Sequence, residues 1–263
     1  MPDQDHPLEG IEHPVQPYIT ENSSIEYPSF KKAFWLIFIL ISVIQIIQAY
    51  YVFKISLSET VSSGQYLNLE ILSITWYLLS VIIIHNSLIK QGLNPWKFYN
   101  LDFAIIVKHL RQILKYFAGT AVFVILFALI SPETELQLED KPFVIIFLML
   151  LTVTVIAPVC EELVFRGYLF SSMIPVFKRS RERLVVNAML FAAAHVFLIV
   201  FAIGGEVPYY IFILGYLLAR LYQDSRSILP CIILHMLNNS LVGVIDLIKL
   251  DMHNTSQLIQ ALL

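Results

Sequence analysis

Three short stretches set ionisable or strongly hydrogen-bonding residues among neighbours that are almost all apolar. In Ala157-Pro-Val-Cys-Glu161-Glu162-Leu-Val-Phe-Arg166-Gly167, Glu162 and Arg166 are four apart, so on a helix they share a face and can form an ion pair, the carboxylate N-terminal to the cation. Glu161 points about 100° away and has no such partner. An unpaired carboxylate in a poorly solvated place gains proton affinity and suits general base or acid work, while its neighbour is held ionised by the guanidinium. The plainer alternative is a helix end whose charges snorkel to water. In Phe191-Ala-Ala-Ala-His195 the ring of Phe191 lies one turn before the imidazole, and the alanines leave room for a second helix or a substrate backbone. A single membrane histidine is more often a hydrogen-bonded packing residue than a catalyst. In His235-Met-Leu-Asn238-Asn239 the first and last residues again share a face, and two donors converging on one oxygen are what an oxyanion-stabilising device requires. Interhelical polar glue is the competing reading for that pair. Asn238 faces about 100° away and reads as packing.

A base, a deep imidazole and a donor pair on three helices are together the parts of a water-activating hydrolase, and the rest of the chain must position them. The solvent for that assembly is lipid. The 263 residues are 57% apolar and 14% charged, with a mean hydropathy of +0.72, outside the balance of a soluble domain. Crossing about 30 Å of hydrocarbon takes about 20 mostly apolar residues. The runs Ala33 to Phe53, Ile71 to Leu88, Ile113 to Ile130, Phe143 to Cys160, Leu184 to Ile203, Val207 to Tyr222 and Ile228 to Ile248 meet or approach that length. The expected fold is an all-α polytopic bundle of about seven spans, eight at most. An ionised group inside it costs at least about 2.5 kcal/mol on insertion scales, so such groups face protein or water and mark function. His195 lies about 18 Å inward from Arg183 by helix rise, too deep to snorkel.

Orientation follows from the basic residues. With an inner N-terminus and seven alternating helices, Lys31, Lys32, Lys90, Lys97, Lys108, Arg111, Lys115, Arg166, Lys178, Arg179, Arg181, Arg183, Arg220 and Arg226 fall inside, and only Lys54, Lys141 and Lys249 fall outside. That asymmetry predicts a cytoplasmic N-terminus. Ser131 to Lys141, with its four acidic residues, suits an outer loop. Leu101 to Lys115 mixes apolar and basic residues as an interfacial helix does before the third span, with Asn100 as its cap. His85 and Asp246 sit near span ends and read as interfacial. Residues 1–30 are polar, acidic and rich in proline, unlike a signal peptide, and are expected to be a disordered cytoplasmic tail; 31–250 form the membrane domain and 251–263 a short C-terminal segment. Cys160 and Cys231 lie in or beside apolar runs and read as packed thiols. A net charge of −3 argues against nucleic-acid binding.

Glu161-Glu162-x-x-x-Arg166, Phe191-x-x-x-His195 and His235-x-x-x-Asn239 resemble, in order and spacing, the EExxxR, FxxxH and HxxxN motifs of the CAAX-prenyl-protease and bacteriocin-processing (CPBP, Abi-like) family. The similarity runs over roughly 143 to 245, including Glu161 to Tyr168 and Gly215 to Asn239. It implies an intramembrane endopeptidase in a helical bundle, in the bacterial plasma membrane, with its site reached from the cytosol. By motif position it implies that Glu161 and His195 activate water, that His235 and Asn239 hold the oxyanion, and that Glu162, Arg166 and Phe191 support them. The implied partners are the lipid bilayer and a membrane-anchored or lipidated protein or peptide, cut near its C-terminus or its membrane-proximal part.

No cofactor is favoured. If His235 serves as an oxyanion donor, only Glu161 and His195 remain, too few protein ligands for an ordinary catalytic zinc, and no HExxH helix is present. A zinc site would instead need Glu161, His195 and His235 together. Two rival functions stand beside proteolysis: a non-catalytic member of the same family, such as an immunity factor or membrane partner, and a proton-coupled transporter using the buried carboxylates. The transporter leaves the FxxxH and HxxxN spacings unexplained.

Overall fold

In the computed structural model residues 26–56, 62–130, 142–195 and 207–262 are described, and among them every regular element is helical. The helices are α1 (Phe30–Ser56), α2 (Ser63–Lys90), α3 (Pro95–Tyr99), α4 (Ala104–Ile130), α5 (Phe143–Met173), α6 (Ser180–Ala193), α7 (Val207–Ser225) and α8 (Ile228–Leu262). Beyond His195 the fifth of the seven apolar runs lies outside the described residues, and a helix stands over its Leu184 to Ala193 and over each of the other six. Four of them, Phe30–Ile47 in α1, Ser63–Lys90, Phe143–Met173 and Ile228–Ile245 in α8, are long and apolar enough to cross a bilayer. With Trp35, Phe38, Ile46, Leu78, Ile82, Phe143 and Phe147 turned outward, the chain is an integral membrane protein.

Local sequence sets the helix ends. Ser62 and Gln65 form a reciprocal capping box at the start of α2, and Gly92 closes its end at a φ of 75°. Asn94 and Pro95 begin α3, and Asn100 ends it in the left-handed region at a φ of 44°. The expected role of Asn100 as the cap of the following helix is therefore corrected. Asp102 does that work, its Oδ1 accepting from the Ala104 amide at 3.0 Å, while Asn100 Nδ2 reaches the Arg226 carbonyl at 2.8 Å. The interfacial segment and the third span are one helix, α4. The last helix runs on to Leu262, through the segment set apart at 251–263. The expected outer loop 131–141, the first 25 residues of the expected tail and the side chain of Asp246 lie outside the described residues. His85 packs against the rings of Trp96 and Tyr99.

The central element is α5. Its residues Val164 to Met173 are all buried, with α1, α2, α3, α6, α7 and α8 packed around them. Its C-terminal boundary differs from the sequence reading, which stopped the apolar run at Cys160; the helix carries on through the Glu161 motif. Two stretches of wider π-helical turn, Thr152–Ile156 and Leu163–Phe170, flank Pro158. A proline has no amide hydrogen and its ring clashes with the turn before it, so a wider register there relieves the backbone.

One end of the bundle gathers the segments that the charge asymmetry assigned to a single side. The Ser29 amide donates to Gln91 Oε1, Phe30 meets Phe177 edge to face, Ser180 Oγ donates to Gln223, and Gln112 Nε2 donates to Asp224. Burial, and then the nearby Arg226, push the Arg183 guanidinium below its usual range there. Both cysteines are buried, so labelling by an impermeant thiol reagent has a low background. Lys97→Cys and Lys178→Cys, at exposed positions of that end, should be modified from the same side of the membrane; opposite sides would contradict the bundle.

Candidate active site

The buried carboxylate of Glu162 ties three helices together. Its Oε1 accepts from Arg166 Nη1 at 2.8 Å and from His235 Nδ1 at 2.9 Å, and both members of the ion pair are fully buried. Arg166 Nη2 continues the chain to the Gly215 carbonyl on α7 at 3.0 Å. Its guanidinium also lies 4.5 Å from the centre of the Phe191 ring, which stands 4.7 Å from His195 and 5.8 Å from His235. Phe191 is thus the apolar plate against which the cation and both imidazoles are set. Gly215 lets α7 come this close: a Cβ there would stand 3.0 Å from Phe191 Cδ1 and 3.4 Å from Ala188 Cα.

His195 sits just past the end of α6, in contrast to the expected run Leu184 to Ile203, whose part beyond 195 is outside the described residues. A helix that stops leaves its last carbonyls without donors. Here His195 Nδ1 bonds the Phe191 carbonyl at 2.8 Å, and Gln45 of α1 donates to the Ala194 carbonyl at 2.9 Å. A carbonyl only accepts, so Nδ1 carries the hydrogen and the neutral ring presents a bare Nε2. The same argument applies to His235, whose Nδ1 faces the Glu162 carboxylate. The Nε2 atoms of both rings turn toward one oxygen, bare on a neutral ring and carrying N–H on an imidazolium: Glu161 Oε2 is 3.7 Å from His195 Nε2 and 3.9 Å from His235 Nε2. The other oxygen of Glu161 accepts from the Tyr77 hydroxyl at 3.2 Å. Oε2 is buried and makes no hydrogen bond among the described residues. Glu161, His195 and His235 therefore share one focus, as the motif spacing alone could not show.

Asn239 bonds α5 rather than any of the three focal side chains. Its Nδ2 donates to the Val153 carbonyl of α5 at 2.8 Å. Val153 is five residues before Pro158, where a π-register bond would require the hydrogen that proline lacks. The amide keeps a second N–H. Asn238 is buried, donating to the Leu234 carbonyl and accepting from the Tyr210 hydroxyl, a packing role. His235 has a constraint of its own: with Nδ1 committed to Glu162, it donates from Nε2 only as an imidazolium. Sequence reasoning missed Tyr77, because a lone tyrosine in an apolar run carries no spacing signal, and it missed the Gly215 carbonyl, because backbone acceptors have no sequence signature.

A metal at the focus is tested by the donors themselves. Ligands at about 2.0 to 2.1 Å from a tetrahedral zinc stand about 3.3 Å apart. The Nε2 to Oε2 separations are wider, and among the described residues no group of three His, Cys, Asp or Glu side chains is arranged to hold an ion.

The family model for type II CAAX prenyl endopeptidases, Rce1-like, matches residues 143–241, the stretch that carries all three motifs. The CPBP resemblance holds over those residues, and the matched family is a protease family. No curated protein and no solved structure matches the chain.

Glu162→Gln should lower thermal stability strongly, because it leaves the buried Arg166 without its counter-charge, a change that typically costs about 3 to 5 kcal/mol. Glu161→Gln, which removes no ion pair with Arg166, should shift the melting temperature far less. Equal losses in purified protein would contradict this division.

Proposed function

We propose that the chain is an intramembrane endopeptidase in which Glu161 activates water, and the observation that carries the reading is the convergence of two imidazole Nε2 atoms on Glu161 Oε2. Water bonded to Oε2 gives up its proton to that carboxylate as its oxygen attacks the scissile carbonyl carbon. His195 Nε2 accepts the water's second hydrogen and aims the lone pair, while Tyr77 holds the far oxygen of Glu161. The negative charge that forms on the substrate oxygen is met by the N–H of protonated His235, which Glu162 backs, and by the spare N–H of Asn239. When the C–N bond breaks, Glu161 returns the proton to the leaving amine.

The position of the site supports a substrate class. Glu161 is about 18 Å along α5 from Met173, so the scissile bond enters the membrane region on a membrane-anchored or lipidated protein or peptide. The end that gathers Lys97, Lys178 and Arg226 is the cytoplasmic end, with seven spans and an inner N-terminus. An impermeant reagent that modified Lys178→Cys in intact cells would overturn that orientation.

Glu161→Gln should abolish a cleavage seen with the native chain while the protein stays folded. Comparative proteomics of membrane peptides from cells carrying each form is the experiment; no peptide specific to the native chain would defeat the protease reading in favour of a binding protein. Asn239→Ala should slow turnover by about 10² to 10³, the range for one oxyanion donor, with Asn238→Ala doing far less to the chemical step.

The mechanism uses no metal. Activity of the purified protein should survive chelation and metal-free preparation, and stoichiometric zinc whose removal abolishes activity and whose return restores it would replace this mechanism with a metal-centred one.

A further inference from the structure

Away from the catalytic focus, α4 and α7 line an open cavity at the protein surface of about 440 Å³. Three of its cations, Lys108, Arg111 and Lys115, come from one face of α4 at helical spacing, and a fourth, Arg220, comes from α7. Among the described residues the one acid lining it is Asp224, already engaged by Arg220 Nε at 3.1 Å and by Gln112 Nε2 at 2.8 Å. Gln112 is fixed in turn by Tyr116 and His109. The wall is therefore a hydrogen-bonded frame, while the three α4 cations form no ion pair among the described residues. At pH 7 these five charged side chains leave a net charge of about +3.

Beside this basic face, α4 exposes a second stripe one residue behind the first: Val107, Leu110 and Leu114, with Phe103 at the helix start. These side chains are exposed among the described residues, an apolar surface that suits lipid in an integral membrane protein. A molecule that met both stripes would need a negative head of phosphate size and apolar chains attached to it. We propose that the α4–α7 cavity binds the phosphate of an anionic phospholipid, with the acyl chains lying along Val107, Leu110 and Leu114. The cations act as a group on the phosphate oxygens, with Arg111 and Arg220 able to offer paired N–H donors and the lysines single ones. Basic pockets between helices at the membrane surface are suited to such headgroups, each cation contributing attraction that adds to the burial of the chains. The inference needs a membrane around α4 and is independent of whether the chain cuts peptides.

The test uses the purified full chain in neutral detergent, with thermal stability followed as phosphatidylglycerol, phosphatidylcholine or glycerol 3-phosphate is added. Phosphatidylglycerol should raise the melting temperature more than phosphatidylcholine does. The lipid concentration for half the effect should rise about fivefold in Arg111→Gln and more than tenfold in Lys108→Gln/Arg111→Gln/Lys115→Gln. Glutamine is a good helix former, and Arg111→Gln alone decides the matter if the triple variant does not fold. Equal responses to the two lipids, or a phosphatidylglycerol response unchanged in Arg111→Gln, would overturn the site. A full response to glycerol 3-phosphate alone would keep the phosphate site but reject the lipid, assigning the cavity to a soluble phosphate ester.

Discussion

A fully buried carboxylate in a membrane protein has to be neutralised by protein, and Glu162 is where this fold meets that demand. Its partners fix the geometry of everything near it. Arg166 satisfies it within α5 and then reaches across to the Gly215 carbonyl of α7, while His235 satisfies it from α8. Three helices are thereby held in one register by charge-assisted bonds in a medium where water cannot replace them. The tight approach of α7 at Gly215 and the plate formed by Phe191 follow from the same knot. Neighbouring carboxylates in sequence thus have different partners: one oxygen of Glu162 is held by Arg166 and His235, one oxygen of Glu161 by the Tyr77 hydroxyl, and each residue keeps its Oε2 without a hydrogen bond among the described residues.

Each imidazole is fixed at the ring nitrogen farther from Glu161. For His195 the fixing group is a carbonyl released by the end of α6, and for His235 it is the Glu162 carboxylate. A helix that ended elsewhere would present a different tautomer or none. The stop at Ala193 is tolerable because Gln45 and His195 itself answer the exposed carbonyls. Secondary structure and site chemistry are here the same fact described at two scales.

Much of this was legible in the sequence, for identifiable reasons. The apolar runs announced the helices because lipid imposes a length on them, and the four-residue spacings announced shared faces, so the Glu162–Arg166 pair was readable without coordinates. The family resemblance over roughly 143 to 245 rested on the same spacings, and the family model matches 143–241. What the sequence could not show were relations between helices and the exact backbone register: the turn of His235 toward Glu162, the hydroxyl of Tyr77 on Glu161, and the ending of α6 before His195. The assignment of Asn100 as a cap failed for a local reason. Asn100 and Asp102 are both competent caps two residues apart, and a tertiary bond to the Arg226 carbonyl decided between them.

The bond from Asn239 to the Val153 carbonyl bears on which side chains can occupy position 239. The carbonyl is an acceptor that proline at 158 deprives of a backbone donor, and a substrate oxygen would be another acceptor with the same need. A carboxamide nitrogen carries two hydrogens pointing in different directions, so one group can serve both acceptors at once. Serine or threonine offers a single hydrogen and would have to abandon one of them; aspartate would repel both. On the proposed mechanism, the unusual turn in α5 and the chemistry of α8 set a joint valence requirement, under which replacing Pro158 by a residue with an amide hydrogen would relax the choice at a position on another helix.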